Sequence, residues 1–443
     1  MLGSSYFLYA LSNPIFVLFL FFSTVLDWFL ATWISKTDSL RKKRLYVFCS
    51  VVVNIGLLLY FKAGLILVNL LNSYFADFNL IIPYQPSNYL IPIGISFYTF
   101  QTISFTVDVF RDEIKRPKSF FDYALYVSFF PQLVAGPIVR AGDFFPQCHK
   151  KKSFNTQTFS WGLFLFITGL FQKVVISDTI LSPTVGLVFT NTTPGIHWVD
   201  AWIGSTAFAA QLFLDFSGYS TCAIGVALML GFSIKDNFRS PLAAIGFNDF
   251  WKRWHISLYN WFKDYVFIPL GGSRVSIPRV YLNILILTVL SGLWHRFSLT
   301  FLVWGLIHGV LIILESTLVR LFRKNKFLSS SALKIPYRIL TSLILILTIV
   351  LFRVVDLNQA FLLFKAMLGF TSNTYSVIPS FYLLSFFAVV PIVIASHWYF
   401  YNRDFAKEIT KLPKSFLVSM ITFMLCSLIL AQGKGNDFIY FQF

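Results

Sequence analysis

Apolar stretches of spanning length recur along the whole chain, separated by short polar connectors. They fall near 8–35, 45–72, 88–110, 158–176, 198–232, 279–298, 299–320, 337–355, 380–401 and 415–432. A helix needs roughly 20 apolar residues to cross the hydrocarbon core, so the pattern predicts about ten crossings. No repeat, low-complexity tract or soluble domain interrupts them, and one membrane-embedded domain over 1–443 is expected. The first apolar run is long and its basic flank follows it, so it reads as an uncleaved span.

Two segments depart from simple crossings. Residues 119–140 have basic flanks on both sides, and Pro131, Gly136 and Pro137 break any helix. A re-entrant hairpin is predicted there, tolerable where protein or a water-filled cavity covers the irregular backbone. Over 247–266, Phe247, Phe250, Trp251, Trp254, Leu258, Trp261, Phe262 and Tyr265 recur at helical spacing, with Asn248, Asp249, Lys252, Arg253 and Lys263 on other faces. That spacing predicts an amphipathic helix at the interface or dipping into the protein.

Charge orients the spans. KTDSLRKKR (36–44), RDEIKRPK (111–118), Lys150–Lys152, and the connectors from Lys235 to Arg279, Arg320 to Arg338 and Arg403 to Lys414 are basic and are placed in the cytoplasm. The 73–88, 177–197 and 356–379 connectors are poor in Lys and Arg and alternate with these, leaving both termini outside. The net charge of +17 is therefore read as positive-inside topology, not as a nucleic-acid surface.

Composition agrees: 56% hydrophobic, 12% charged, mean hydropathy +0.70. A soluble chain of this length would carry about twice that charge. The 53 Phe exceed what interfacial belts need and point to aromatic packing inside the protein. Cys49, Cys148, Cys222 and Cys426 are far apart with no CxxC, so neither a zinc site nor a disulfide framework is indicated. No metal-ligand spacing and no Gly-rich phosphate loop is present.

Ionisable residues at membrane depth are the candidates for chemistry, because burying them is costly. His295, in SGLWH, can act as a general base that takes a proton from a hydroxyl attacking an acyl carbon. The competing reading is a buried histidine bonded to a carbonyl. His255 lies one turn after Trp251, on the aromatic side of its segment; it either orients a substrate or caps nearby backbone. His308 is thirteen residues after His295, about 20 Å along one straight helix. The two approach one another only if the chain turns between them, and Arg296–Ser298 is where that turn is expected. Gly305 and Gly309 beside His308 suggest close helix packing, so His308 is a secondary candidate. His149, His197 and His397 read as solvated or interfacial. Asp108 and Asp215 need a polar partner or a wet cavity. Ser217 in DFSGYS lacks the strand–turn–helix setting of a nucleophile elbow.

Taken together, FYTFQTISFTVDVFR (97–111), FFPQLVAGPIVRAGDFFPQ (129–147), DFSGYS (215–220), FNDFWKRWHISLYNWFKDYVFIPLGGSR (247–274), SGLWH (291–295), WGLIHG (304–309) and FIYFQF (438–443) resemble the membrane-bound O-acyltransferases. The similarity is to their bacterial alginate O-acetyltransferase branch, with the teichoic-acid D-alanylation membrane protein a more distant relative. The resemblance implies an all-α polytopic fold around a central funnel, with the invariant histidine at His295 and the second motif histidine at His255. It implies substrate-binding positions at Trp254, Arg253, Asp264, Trp294, Lys263 and Asp215, and basic residues Lys252, Arg253, Lys263 and Arg274 available to a phosphate-bearing donor. It also implies acetyl-CoA as acyl donor with no bound cofactor, a bacterial inner membrane, a polysaccharide acceptor and a periplasmic esterase-like partner. The alternatives are D-alanyl transfer from a carrier thioester and a transporter without chemistry. Arg296 departs from the glycine that relatives carry after this histidine.

Overall fold

The computed structural model describes residues 1–75, 91–133, 136–322, 333–371, 375–433 and 438–439. Among these residues the fold is all-helical, with one isolated bridge between Ile196 and Tyr375. Eight helices among the described residues are long and apolar enough to cross a membrane. The crossings expected at 88–110 and 415–432 correspond to shorter helices, Ile95–Phe110 and Lys414–Leu430. The outer loop expected at 73–88 lies, from residue 76 onwards, outside the described residues, as do 323–332 of the connector after Arg320. The described residues form two compact units, 1–155 with 230–234, and 156–229 with 235–443.

In the first unit, Asn13 starts the Pro14–Lys36 helix: its side chain accepts from the Ile15 N–H at 3.0 Å, and Pro14 needs no partner at the first helical position. This helix packs with Leu40–Tyr74 and Ile95–Phe110 around one buried carboxylate. Asp27 accepts from Ser50, from Asn54 Nδ2 at 2.6 Å and from Thr106 at 2.7 Å, and Ser23 donates to Asn54 Oδ1 at 2.7 Å. Ile95–Phe110 is buried nearly all round, which explains its many polar residues: Thr99, Gln101, Thr102, Ser104 and Thr106 meet protein, not lipid. The predicted break in 119–140 is present. Helices Phe120–Ser128 and Phe130–Leu133 are followed by a return of the chain, with the Tyr126 hydroxyl donating to the Val139 carbonyl at 3.0 Å.

In the second unit, the connector expected at 177–197 is largely helical, because the helix from Thr156 continues to Thr190. Residues Phe171–Leu181 of it adopt π geometry. Within that segment Lys173 pairs with Asp178 at 3.0 Å and with Asp215 of the Trp198–Met229 helix. Burying two carboxylates is tolerable here because the ammonium lies between them. The core of this unit packs aliphatic side chains around an aromatic group that includes Phe208, Phe250, Trp254, Phe301, Trp304 and Phe352.

Candidate functional site

The site is built by the turn that the sequence places at Arg296–Ser298. Helix Ile277–His295 ends at the histidine and Leu299–Leu321 begins just beyond it. The two helices then lie against each other closely enough that a Cβ at Gly305 would stand 2.6 Å from the Thr288 carbonyl oxygen, and one at Gly292 would overlap the Phe301 carbonyl. Only glycine permits that approach. It brings His295 and His308, far apart along the chain, to the same wall: the Trp304 indole lies 6.0 Å from the His295 ring and 4.5 Å from the His308 ring.

Both histidines line a cavity of about 280 Å³. Its remaining wall is largely apolar and aromatic, including Trp251, Trp254, Phe352 and Trp398. On helix Lys334–Arg353, lining residues run from Ile339 to Phe352 along one face, a length of about 20 Å at 1.5 Å per residue. The cavity is therefore a narrow slot parallel to that helix. Arg338 adjoins one end, its guanidinium over the rings of Trp398 and Tyr401 at 4.9 and 4.6 Å. His295 and Phe352, 4.9 Å apart by ring centroid, lie toward the other. Arg296, next in sequence to His295, is exposed.

His308 is held by the Thr348 hydroxyl, 3.1 Å from its Nε2. That hydroxyl donates its single proton to the Leu345 carbonyl at 3.0 Å, so its oxygen accepts from His308 Nε2–H and Nδ1 carries the lone pair.

His255 occupies a different place from the one its spacing predicts. The expected continuous helix over 247–266 is two short helices, Phe247–Trp251 and Ile256–Phe262, followed by a π turn at Lys263–Phe267. His255 stands at the break with φ +46°, a left-handed conformation that non-glycine residues adopt at a cost. Asn237 holds it there. Its backbone carbonyl accepts from Ile256 N–H at 2.9 Å, while its Oδ1 accepts from Ser257 N–H at 3.1 Å and lies 3.2 Å from His255 Nδ1. Because Oδ1 only accepts, Nδ1 carries the proton and Nε2 the lone pair. Burial pushes the imidazole down to about 3, which keeps it neutral. His255 lines a second, smaller pocket of about 50 Å³, walled from the first by Trp251 and Trp304, which line both. Trp294 lies between the two histidines, 6.2 Å from His255 and 4.6 Å from His295 by ring centroid.

The other positions separate clearly. Trp254 lines the main cavity, stacked on Phe250. Arg253 is occupied: it bonds Asp249 at 2.7 Å and the Arg239 and Tyr401 carbonyls, and lies 3.8 Å over the Tyr401 ring. Its planar fork is spent on protein, so it is a brace for this segment and not an available cation. Asp215 is likewise committed, to Lys173 and to the Ile439 N–H at 3.0 Å. Lys263 is exposed and Asp264 half-buried in the π turn; neither lines either pocket, nor do the exposed Lys252 and Arg274. His397 is buried, its Nδ1 2.8 Å from the Val393 carbonyl, and so is not interfacial as its place in the sequence suggests.

Several contributors escape sequence reasoning. Glu315 accepts from the Phe247 and Asn248 N–H groups at 2.7 and 2.9 Å, seating the aromatic segment on Leu299–Leu321. A lone carboxylate in an apolar helix was its available signal. Thr348, Asn237 and Arg338 carried none.

Against known proteins, the model of the membrane-bound O-acyltransferase family matches residues 3–355. The chain is 34% identical over 394 residues to the peptidoglycan O-acetyltransferase of Helicobacter pylori, spanning 83% of this chain and 72% of that protein. It is 34% identical over 377 residues to the protein named "Probable alginate O-acetylase AlgI" of Pseudomonas aeruginosa, spanning 84% and 69%. Similarity to the teichoic acid D-alanyltransferase of Bacillus subtilis is lower, 26% over 267 residues, spanning 56% and 65%.

Proposed function

The chain belongs to the membrane-bound O-acyltransferase family, and from that premise we propose a specific transfer. It moves an acetyl group from cytoplasmic acetyl-CoA across the bacterial inner membrane, for O-acetylation of an exported or cell-envelope polysaccharide. The relatives named as O-acetylating peptidoglycan and alginate support the reaction class and the kind of polymer. One observation carries the reading. His295 ends its helix at the wall of a narrow, largely apolar slot that follows helix Lys334–Arg353 for about 20 Å.

A slot of that shape suits a thin, extended thioester arm. Arg338 adjoins the end next to the basic connectors, where a phosphate-bearing donor would enter from the cytoplasm. At the far end His295 takes the proton of an acceptor hydroxyl as its oxygen attacks the acetyl carbonyl. The carbon–sulfur bond breaks, the thiolate leaves, and the imidazolium returns the proton to it. His255, neutral and fixed by Asn237, holds the Trp294 side of the wall behind His295. The acceptor hydroxyl belongs to a periplasmic esterase-like partner that completes transfer to the polymer.

The test is label transfer from acetyl-CoA by the purified protein in the presence of its secreted partner. Transfer that disappears with His295→Ala, in a protein that still inserts and elutes as the wild type, is the expected result. Full transfer by that variant would overturn the role of His295. Activity with a carrier-protein thioester but none with free acetyl-CoA would replace the reading with a D-alanylation-type donor, and no consumption of any thioester would leave a transporter.

A further inference from the structure

The main cavity is lined mostly by carbon, yet two polar atoms on its wall have no partner among the described residues. His308 is 1% exposed, and with its Nε2–H spent on Thr348 its Nδ1 lone pair has no partner among the described residues. The Trp251 indole N–H is equally sealed from solvent and equally without a partner. The two rings lie 5.4 Å apart at 77°, and both residues line the cavity that holds His295. An acceptor and a donor left bare in a low-dielectric slot each carry a desolvation penalty. A ligand offering one N–H and one C=O relieves both.

We propose that His308 and Trp251 bind the amide-bearing arm of the acyl donor: Nδ1 accepts the N–H of its first amide, and the indole N–H donates to a carbonyl oxygen of the arm. This rests on the thioester reading above and extends it to how the arm is held. In a pantetheine thioester, a sulfur and two methylenes separate the acyl carbon from the first amide nitrogen. His295 and His308 flank a single indole, Trp304, at 6.0 and 4.5 Å, so an arm with its thioester at His295 runs past His308 along the same wall. With the acyl carbonyl at His295, the amide falls beside His308. A charged group has no counterpart at this point, since the lining around the pair is apolar and aromatic. The pair thus selects a neutral amide-bearing arm over a simple acyl chain, and sets how deeply the thioester seats.

The experiment compares acetyl-CoA with its analogue in which that first amide N–H is replaced by CH2, measuring calorimetric binding to the purified full-length protein. The wild type should bind acetyl-CoA about tenfold more tightly than the analogue. His308→Gln keeps a donor for Thr348 and removes the Nδ1 acceptor, so it should bind the two compounds equally. His308→Asn returns an acceptor near the Nδ1 position and should restore most of the ratio. Trp251→Phe should weaken both compounds by one common factor and leave the ratio intact. A tenfold ratio that persists in His308→Gln, or a wild type that binds both compounds equally because a water bridges the two groups, overturns the amide pair while leaving the thioester reading in place. A wild type that binds neither compound overturns that reading, and this inference with it.

Discussion

Two sets of polar and ionisable groups lie inside apolar helices of this chain, and the protein treats them in opposite ways. Around Asp27 in the first unit, Ser50, Asn54 and Thr106 all donate to one carboxylate, and Ser23 and Thr102 reach the same Asn54. Every contact is side chain to side chain across three helices, with Asp27, Ser23 and Ser50 wholly buried. Around His295 in the second unit, polar groups face a void instead, and two of them, His308 Nδ1 and the Trp251 indole N–H, have no partner among the described residues. A satisfied network in solid packing fixes helices against each other; a half-satisfied one beside open space waits for a ligand. Intramembrane charge alone does not separate the two cases.

That contrast can be broken most sharply at its two centres. His295→Ala should lower transfer by at least about a hundredfold, the contribution of a positioned general base, with little change in the temperature of unfolding. A variant that loses both together would make His295 architecture instead. Asp27→Leu should do the reverse. Leaving its three donors unsatisfied costs about 2–4 kcal/mol and should reduce folded yield in detergent, while the surviving protein keeps its turnover per molecule. If turnover fell and stability held, the first unit would carry chemistry too.

Smaller effects sharpen the edges. The folded pKa of His255, about 3, lies below its ordinary 6.5. The unfolded chain therefore binds the proton first, so stability is full above about 6.5 and falls as pH drops toward 3. Lowering pH from 7 to 5.5 should cost the wild type about 1 kcal/mol more than His255→Asn, which has no such proton to bind. Thermal unfolding of both proteins at the two pH values checks this. Arg253→Lys should cost less again, about 0.5 kcal/mol from the lost fork and ring contact, with the acetyl-CoA KM unchanged. A large rise in that KM would return Arg253 to the donor site.

Much of the fold was legible because local rules decide it. Pro131, Gly136 and Pro137 interrupt 119–140 wherever that segment lies, and the polar Arg296–Ser298 stretch ends one helix and starts another. Gly305 and Gly309 announced a close helix partner, and Thr288 is that partner. The candidate site was legible only as a set of residue types. Spacing placed His255 on a continuous aromatic face, but Asn237, eighteen residues earlier, holds it in a left-handed break. Its flanking glycines marked His308 as a packing residue of secondary interest, whereas the helix turn expected at Arg296–Ser298 puts it in the cavity with His295. The partners that occupy Arg253 and Asp215 are only partly local: Asp249 is four residues from Arg253, but the Tyr401 ring and carbonyl, and Lys173 for Asp215, are remote in sequence.

The sequence by itself determined the helices, their approximate ends, the membrane setting and the short list of histidines, since these follow from hydrophobic period, backbone restriction and the cost of burying charge. Only the tertiary structure decided which of those groups are spent on the protein and which stand at the wall of a cavity. Satisfaction of a hydrogen bond depends on atoms brought within about 3 Å by distant segments, and no local pattern records that distance.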